Sequence, residues 1–137
     1  MHKRVIAIVA LAFAAFGFLG ATSASAASAD KEYDNASTHA MTGYGKECIT
    51  VDDVKGCVMP YGDILWLDDY EADGYGVKLI WWDTDGPRLG ECANNQGAFT
   101  AWTRCNKNLP EGHDIKWVVS WYESGSWHNS GSETTRV

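Results

Sequence analysis

The stretch "DDYEADGYGVKLIWWDTDG", Asp68 to Gly86, decides the fold class of this chain. Its first half has the beginning of an EF-hand calcium loop. Counted from Asp69, acidic residues occupy positions one, three and five, and Gly74 occupies position six. The three acidic residues are Asp69, Glu71 and Asp73. The stretch is therefore either a metal site or two β-strands with the turn that joins them.

The second half of the stretch favours strands. Position twelve of the loop is Ile80, where an EF-hand needs a bidentate glutamate, and "YGVKLI" is typical of a strand. Asp73-Gly74 is a common hairpin-turn pair, because glycine adopts positive φ without a steric penalty. We predict a turn and no metal site. One alternative stays open, a weaker Ca²⁺ site that combines this turn with Asp83 and Asp85.

Short segments rich in β-branched and aromatic residues recur from Cys48 onward. They are ILWLDD (64–69), VKLIWWD (77–83), GAFTAWTRC (97–105), IKWVVSWYE (115–123) and SWHNS (126–130). No segment keeps a helical period over about ten residues, and turn signals recur roughly every 8–12 residues. The pattern predicts an all-β fold, a small disulfide-stapled antiparallel β-sandwich or barrel over residues 46–137.

Residues 1–26 have the layout of a secretory signal peptide. A basic start is followed by an apolar run of about 16 residues and then by small residues with A-x-A cleavage sites. Cleavage follows Ala26, or alternatively Ala29. A membrane anchor is disfavoured because the apolar run is short for a span. We expect a secreted, extracellular protein.

The charge of the exported chain limits its partners. Loss of Lys3 and Arg4 with the leader leaves nine Lys and Arg against 18 Asp and Glu, a net charge of −9. Nucleic acids and anionic membranes repel such a surface, so we expect neither as a partner after signal cleavage. A cationic partner is mildly favoured.

Four cysteines remain in an oxidising compartment, which predicts two disulfides. Three connectivities are possible. We favour Cys48–Cys57 and Cys92–Cys105, because each pair brackets a plausible turn and would staple one hairpin. A zinc site is the alternative, disfavoured because no C-x-x-C pair occurs.

Residues 27–45 are polar and small, with no sustained period, and predict a flexible N-terminal arm. An inert spacer left after export is the alternative. If the arm binds a partner, its best anchors are Tyr33, Met41 and Tyr44, which are spaced along an extended chain.

The tryptophans divide between core and surface. Neighbouring residues of a strand point to opposite faces, so Trp81 and Trp82 face opposite ways. Trp66, one of that pair, and Trp117 with Trp121 fill the predicted core. The remaining tryptophan and Tyr122 are left at least partly exposed, where aromatic rings serve sugar stacking or a protein partner. The alternative is that they cover the edges of the core.

Catalytic motifs do not occur in this sequence. It has no G-x-S-x-G, no phosphate loop and no H-E-x-x-H. Glu111-Gly112-His113-Asp114 is better explained as the turn that leads into the strand at Ile115. We predict that the protein is not an enzyme, has no catalytic residues and needs no cofactor.

Several turn and cysteine motifs resemble a known group of proteins. They are "CNKNLPEGHDIKW" (Cys105 to Trp117), Gly62-Asp63, "ADG" at 72–74 and "GEC" at 90–92. Over about residues 45–125 the chain resembles small secreted actinomycete proteins with a signal peptide, four cysteines and a Trp-rich β-domain. Its size and layout are similar to the adapter subunits of umbrella toxin particles. In those particles a small β-protein links a lectin-bearing subunit to a toxin subunit, and its N-terminal extension is held by a partner. No interface motif matches, so the resemblance implies no interface residues.

The combined expectation is a secreted, non-catalytic, protein-binding β-domain, an adapter or assembly subunit of an extracellular toxin-type complex. The resemblance implies lectin-bearing and toxin subunits as partners. A secreted hydrolase inhibitor and a carbohydrate-binding module are the alternatives.

Overall fold

In the described residues, eleven strands build two β-sheets that pack face to face, with side chains on the two faces of each strand. The computed structural model describes residues 29–51, 53–98 and 101–137. The strands are β1 (Glu32–Asn35), β2 (Ser37–Thr38), β3 (Glu47–Thr50), β4 (Val54–Met59), β5 (Ile64–Asp69), β6 (Val77–Asp83), β7 (Leu89–Asn94), β8 (Thr103–Asn106), β9 (Asp114–Glu123), β10 (Ser126–Asn129) and β11 (Glu133–Arg136). The predicted signal peptide, 1–26, lies outside the described residues. In the part that is described, no helix could cross a membrane.

The all-β prediction is confirmed, and the architecture is a sandwich rather than a closed barrel. The six-stranded sheet has the order β1-β7-β6-β9-β10, with β11 paired to the first half of β9. The five-stranded sheet has the order β2-β8-β5-β4-β3. Every pairing is antiparallel except β1 with β7, which is parallel, so the six-stranded sheet is mixed.

The main core lies between the two sheets. The six-stranded sheet contributes Leu79, Trp81, Trp117 and Val119, and the five-stranded sheet contributes residues such as Leu67. Full burial of side chains of this size is worth roughly 1.5–3 kcal/mol each. Of the neighbouring residues Trp81 and Trp82, Trp81 faces the core, with 0% exposure. Trp82 is 37% exposed on the other face of the sheet.

The outer face of the five-stranded sheet carries a second, smaller apolar cluster. Cys57, Met59, Ile64 and Trp66 are buried there beneath Met41 and Trp102. Trp66 was expected to share the core with Trp117, but it is fully buried in this second cluster instead. Met41, which was expected to anchor a partner, packs against its own domain.

Both predicted disulfides are present, but they have different roles. Cys48 and Cys57 lie directly opposite each other in the β3–β4 hairpin, as predicted. Cys92 and Cys105 also form the predicted pair, but they do not staple a hairpin. Cys92 lies in β7 and Cys105 in β8, so this bond joins the two sheets across the core. The prediction was wrong on this point because the chain between these strands changes sheet.

The prediction that residues 27–45 lie outside the β-domain is wrong for residues 32–38. β1 pairs with β7 in one sheet and β2 pairs with β8 in the other, and Ala36 between them is buried in the main core. The sequence did not indicate this because β1 is held by charges rather than by apolar side chains. Glu32 forms ion pairs with Arg88 and Lys107.

Candidate functional site

The outer face of the six-stranded sheet carries apolar and aromatic side chains in its two central strands. Because Leu79 and Trp81 point into the core, their neighbours in β6 point outward. The outward side chains are Lys78, Ile80 and Trp82 in β6, and Lys116, Val118, Ser120 and Tyr122 in β9. The antiparallel register places Ile80 opposite Val118. Two apolar residues therefore occupy the middle of this face.

An aromatic cluster continues this face towards β10. The ring centroids of Tyr75 and Tyr122 lie 4.3 Å apart, and those of Tyr122 and Trp127 lie 5.6 Å apart in an edge-to-face arrangement. Lys78 Nζ lies over the Trp127 ring, 4.1 Å from its centroid. We call the set Tyr75, Lys78, Ile80, Trp82, Val118, Tyr122 and Trp127 the aromatic face.

A tight turn places Trp127 on this face. Ser124 and Gly125 form the two-residue connection between β9 and β10, and both have positive φ, 52° and 85°. This backbone is typical of a type I′ hairpin, whose twist matches that of the strands. The turn brings Trp127 opposite Tyr122 in the ladder. The prediction that Tyr122 and one further tryptophan are at least partly exposed is confirmed, with Trp82 and Trp127 both exposed.

Beside the aromatic face, a polar cavity of about 220 Å³ lies over β1, β7 and β6. Its lining includes Tyr33, Asn35, Lys78, Glu91 and Asn95. The Glu91 carboxylate forms ion pairs with Lys31 and Lys78, whose Nζ atoms lie 2.7 and 3.6 Å from its oxygens. Tyr33, an expected partner-binding residue, is thus exposed at the edge of the same sheet face.

The motif that resembles a calcium loop is built from turn-forming side chains. Asp69, at the end of β5, accepts a hydrogen bond from the Glu71 backbone N–H at 3.1 Å. Asp73 accepts one from the Tyr75 N–H at 2.7 Å. Such bonds to the backbone two residues on are characteristic Asx turns. In the described residues, no group of three His, Cys, Asp or Glu side chains is placed to hold a metal ion.

The alternative Ca²⁺ site that added Asp83 and Asp85 is wrong. These residues follow β6, whereas Asp73 precedes it. The seven residues of β6 separate the two turns by about 20 Å in an extended strand. Asp83 instead accepts a hydrogen bond from the Asp85 N–H and contacts His113 Nδ1 at 2.9 Å.

One end of the sandwich, next to the aromatic face, concentrates carboxylates. We call the set Asp53, Asp69, Glu71, Asp73 and Glu123 the acidic end. Two cavities open there, one on each side of Glu123. One is about 210 Å³ and is lined by Glu71, Asp73, Tyr75, Tyr122, Glu123, Ser124 and Gly125. The other is about 370 Å³ and is lined by Val51, Asp53, Trp121 and Glu123.

Repulsion between like charges helps to raise the pKa values of two carboxyl groups at the acidic end. Asp53 raises the pKa of Glu71 most, with burial, Asp73 and Glu123 adding to the effect. Burial raises the pKa of Asp69, and the charges of Asp73 and Asp53 raise it further. Neighbouring carboxylates therefore contribute to both pKa shifts, while burial is the main cause for Asp69.

The expected turn at Glu111 to Asp114 is confirmed. The Gly112 N–H and His113 carbonyl bond the backbone of Val137, and β9 begins at Asp114. The contact of His113 with Asp83 joins this turn to the end of β6. The pair therefore connects two loops of the six-stranded sheet.

The structure does not bring the three expected partner-binding residues together. Tyr33 lies on the six-stranded sheet, Met41 covers the small core cluster, and Tyr44 is 94% exposed in the segment between β2 and β3. Sequence reasoning missed Tyr75 and Trp127, whose only signal was an aromatic residue next to a glycine or serine turn.

Comparison with protein-family models, curated proteins and solved structures finds no match to this chain.

Proposed function

We propose that this chain is a secreted, non-catalytic protein-binding domain that serves as an adapter or assembly subunit of an extracellular complex. The aromatic face carries the proposal. In the described part of the chain, its exposed tyrosine and tryptophan rings have no covering segment. Contiguous exposed apolar surface on a soluble protein marks an interaction site, and Tyr and Trp dominate the energetics of protein interfaces.

The ring geometry favours a protein partner over a sugar. Sugar stacking needs an open, flat ring face, but Lys78 lies over the face of Trp127. The planes of Tyr75 and Tyr122 are inclined by 38°, and those of Tyr122 and Trp127 by 73°, so the rings form no common platform. Half-buried Ile80 adds aliphatic surface beside the rings, as in the centre of a protein interface.

A second exposed surface supports an adapter rather than a simple binder. Tyr44 and Tyr61 are 94% and 83% exposed. They are neighbours, because a Cβ on Gly45 would lie 3.6 Å from the Tyr61 ring. Tyr61 lies in the β4–β5 turn, at the end of the sandwich opposite the acidic end. One rigid domain with two separate aromatic surfaces suits a subunit that joins two partners.

The proposal also includes export of the protein and a role in assembling other subunits. Two disulfides in a small domain are consistent with an extracellular location. Together with the leader over residues 1–26, they favour secretion. The partners would be the lectin-bearing and toxin subunits that the resemblance implies.

The test is capture of secreted partners by two matched surface variants. The tagged protein is incubated with secreted proteins of the producing organism, and the complexes are sized and identified. Trp82→Ser with Trp127→Ser should lose one partner and keep the other, and Tyr44→Ser with Tyr61→Ser should show the reverse. All four side chains are exposed, so both variants should fold.

Three outcomes would contradict this function. Full capture of every partner by the Trp82/Trp127 variant would remove the aromatic face as a docking surface. Retention of the intact protein on polysaccharide, without any protein partner, would favour the carbohydrate-binding alternative. Capture of a single hydrolase with loss of its activity would favour the inhibitor.

A further inference from the structure

The acidic end has carboxylates without countercharges. In the described part of the chain, Asp53, Glu71, Asp73 and Glu123 take part in none of the ion pairs, whereas carboxylates such as Glu32 are paired. Behind them, the Asp69 side chain is only 3% exposed, and its Oδ2 has no hydrogen-bond partner there. A buried carboxyl oxygen without a hydrogen-bond partner is costly, which makes Asp69 an unusual group at this position.

Asp69 lies beneath the surface that the other acids form. Residues 65, 67 and 69 of β5 share the inward face of the strand, and Leu65 and Leu67 lie in the main core. Asp69 Oδ1 accepts the N–H of Glu71 in the loop above it. Asp69 is therefore a buried carboxyl group that is hydrogen-bonded to the loop carrying Glu71 and Asp73.

The arrangement suits an organic cation better than a metal ion. A metal needs several oxygens converging within about 2.5 Å, and the described residues contain no such group. Here the carboxylates stand around a cavity of about 210 Å³ that Tyr75 and Tyr122 also line. Aromatic ring faces between carboxylates are the surroundings that a guanidinium or ammonium group prefers.

We propose that the acidic end binds an arginine or lysine side chain presented by the partner protein. This inference rests on the proposed function, because Tyr75 and Tyr122 belong to the aromatic face and also line the cavity at the acidic end. A partner that covers the aromatic face would bring its own surface over this cavity. The basic side chain would lie against the two tyrosine rings and pair with Glu71, Asp73 and Glu123.

The same pairing already occurs within the chain. Lys78 lies over Trp127 and within 3.6 Å of Glu91, so one ammonium group contacts both a ring and a carboxylate. The cavity at the acidic end has the same ring and carboxylate components, and none of its described lining residues is basic. The net charge of −9 after loss of the leader attracts basic partners to the protein as a whole.

The test uses N-acetylated, C-amidated tri-arginine as the probe, with NMR titration of the full mature protein. We expect saturable shifts confined to the backbone of 71–75 and 122–125. Tri-citrulline, which has nearly the same shape without charge, should cause none. Tyr75→Leu with Tyr122→Leu should weaken binding by roughly fivefold or more, and the matched Phe pair, which keeps the rings, should bind as the wild type does.

A second matched pair of variants separates this site from general attraction to an acidic protein. Glu71→Gln/Asp73→Asn/Glu123→Gln should abolish saturable binding. Asp30→Asn/Glu111→Gln/Glu133→Gln removes the same charge from exposed positions elsewhere and should leave binding within about twofold. Equal loss in both variants, or unchanged binding by the Leu pair, would overturn the proposal. So would saturation of the same residues by CaCl₂ at lower concentration than by the peptide.

Failure here is distinguishable from failure of the proposed function. If the aromatic face captures a partner but tri-arginine does not bind, the basic-side-chain inference is wrong and the adapter function stands. If tri-arginine binds but no protein is captured through the aromatic face, the adapter function is wrong.

Discussion

Gly90 lies directly opposite Glu32 in the parallel pairing of β7 with β1. A Cβ on Gly90 would lie 2.7 Å from the Glu32 carbonyl oxygen and 3.0 Å from Cζ2 of Trp81. Only glycine allows β1 to approach this closely while Trp81 packs beneath. The absence of a side chain at Gly90 thus lets the N-terminal strand β1 pair with β7 as part of the sandwich.

Gly90→Ala should destabilise the protein by roughly 1–3 kcal/mol, because the methyl group must displace β1 or Trp81. Urea unfolding measures the loss, and faster amide exchange of residues 32–35 locates it. Gly131→Ala is the control, since no atom lies within 4 Å of its Cβ position. If the two variants behave alike, β1 is not packed as described.

Glu32→Gln should change how stability depends on pH. Hydrogen bonding to Arg88, helped by Lys107 and opposed by burial, lowers the pKa of Glu32 from 4.5 to about 2. A lowered folded-state pKa stabilises the fold above pH 4.5, and this contribution is lost as pH falls towards 2. Because Glu32 is about one-third exposed, solvent screening reduces the contribution to roughly 1–2 kcal/mol at neutral pH.

Urea unfolding of wild type and Glu32→Gln between pH 7 and pH 2 tests this prediction. The difference in unfolding free energy should be largest at neutral pH and should shrink below about pH 4.5, where the unfolded carboxyl is protonated. A difference that stays constant over this range would exclude the charge of Glu32 as the cause.

The two disulfides should differ in their contribution to stability. Chain-entropy estimates give each about 3 kcal/mol, since the closed loops are similar in length. Cys92 and Cys105 are also buried, and their bond joins the sheets, so Cys92→Ala/Cys105→Ala should cost roughly 3–5 kcal/mol. Cys48→Ala/Cys57→Ala, in a hairpin with Cys48 exposed, should cost about 2–3 kcal/mol. Denaturant unfolding of the two variants compares them, and the reverse order would contradict the inter-sheet role.

Trp81 and Trp82 form a matched pair for separating core from surface. Trp81→Thr should cost about 3–5 kcal/mol, because it leaves a cavity between the sheets. Trp82→Thr should cost less than about 1.5 kcal/mol, because the side chain is largely outside the core and threonine suits a strand. Thermal unfolding by circular dichroism distinguishes them, and similar losses would contradict the assigned orientation of β6.

The predicted strands follow the observed ones where the signal was local. ILWLDD and VKLIWWD coincide with β5 and β6, because both are short runs rich in apolar, β-branched and aromatic residues. β1 could not be predicted from its own residues. Its anchors, Arg88 and Lys107, lie far along the chain, 56 residues away for Arg88. The strand acquires its stability only when these cations are brought to it.

The candidate site was predictable only in part. The sequence indicated that some aromatic side chains would be exposed, and Tyr122 was among them. It could not indicate that Tyr75, Tyr122 and Trp127 would meet, because these residues come from a loop and two different strands.

The sequence by itself determined the all-β class, the Cys48–Cys57 hairpin pair and the turn chemistry of Asp73-Gly74. Each depends on residue types at short spacing, and the alternation of side chains, the positive φ of glycine and the reach of a disulfide are local constraints. Only the tertiary structure decided that Trp81 rather than Trp82 faces the core, and that Cys92–Cys105 joins the sheets. A strand has two faces of similar pattern, and burial of one of them depends on a second sheet built from distant residues.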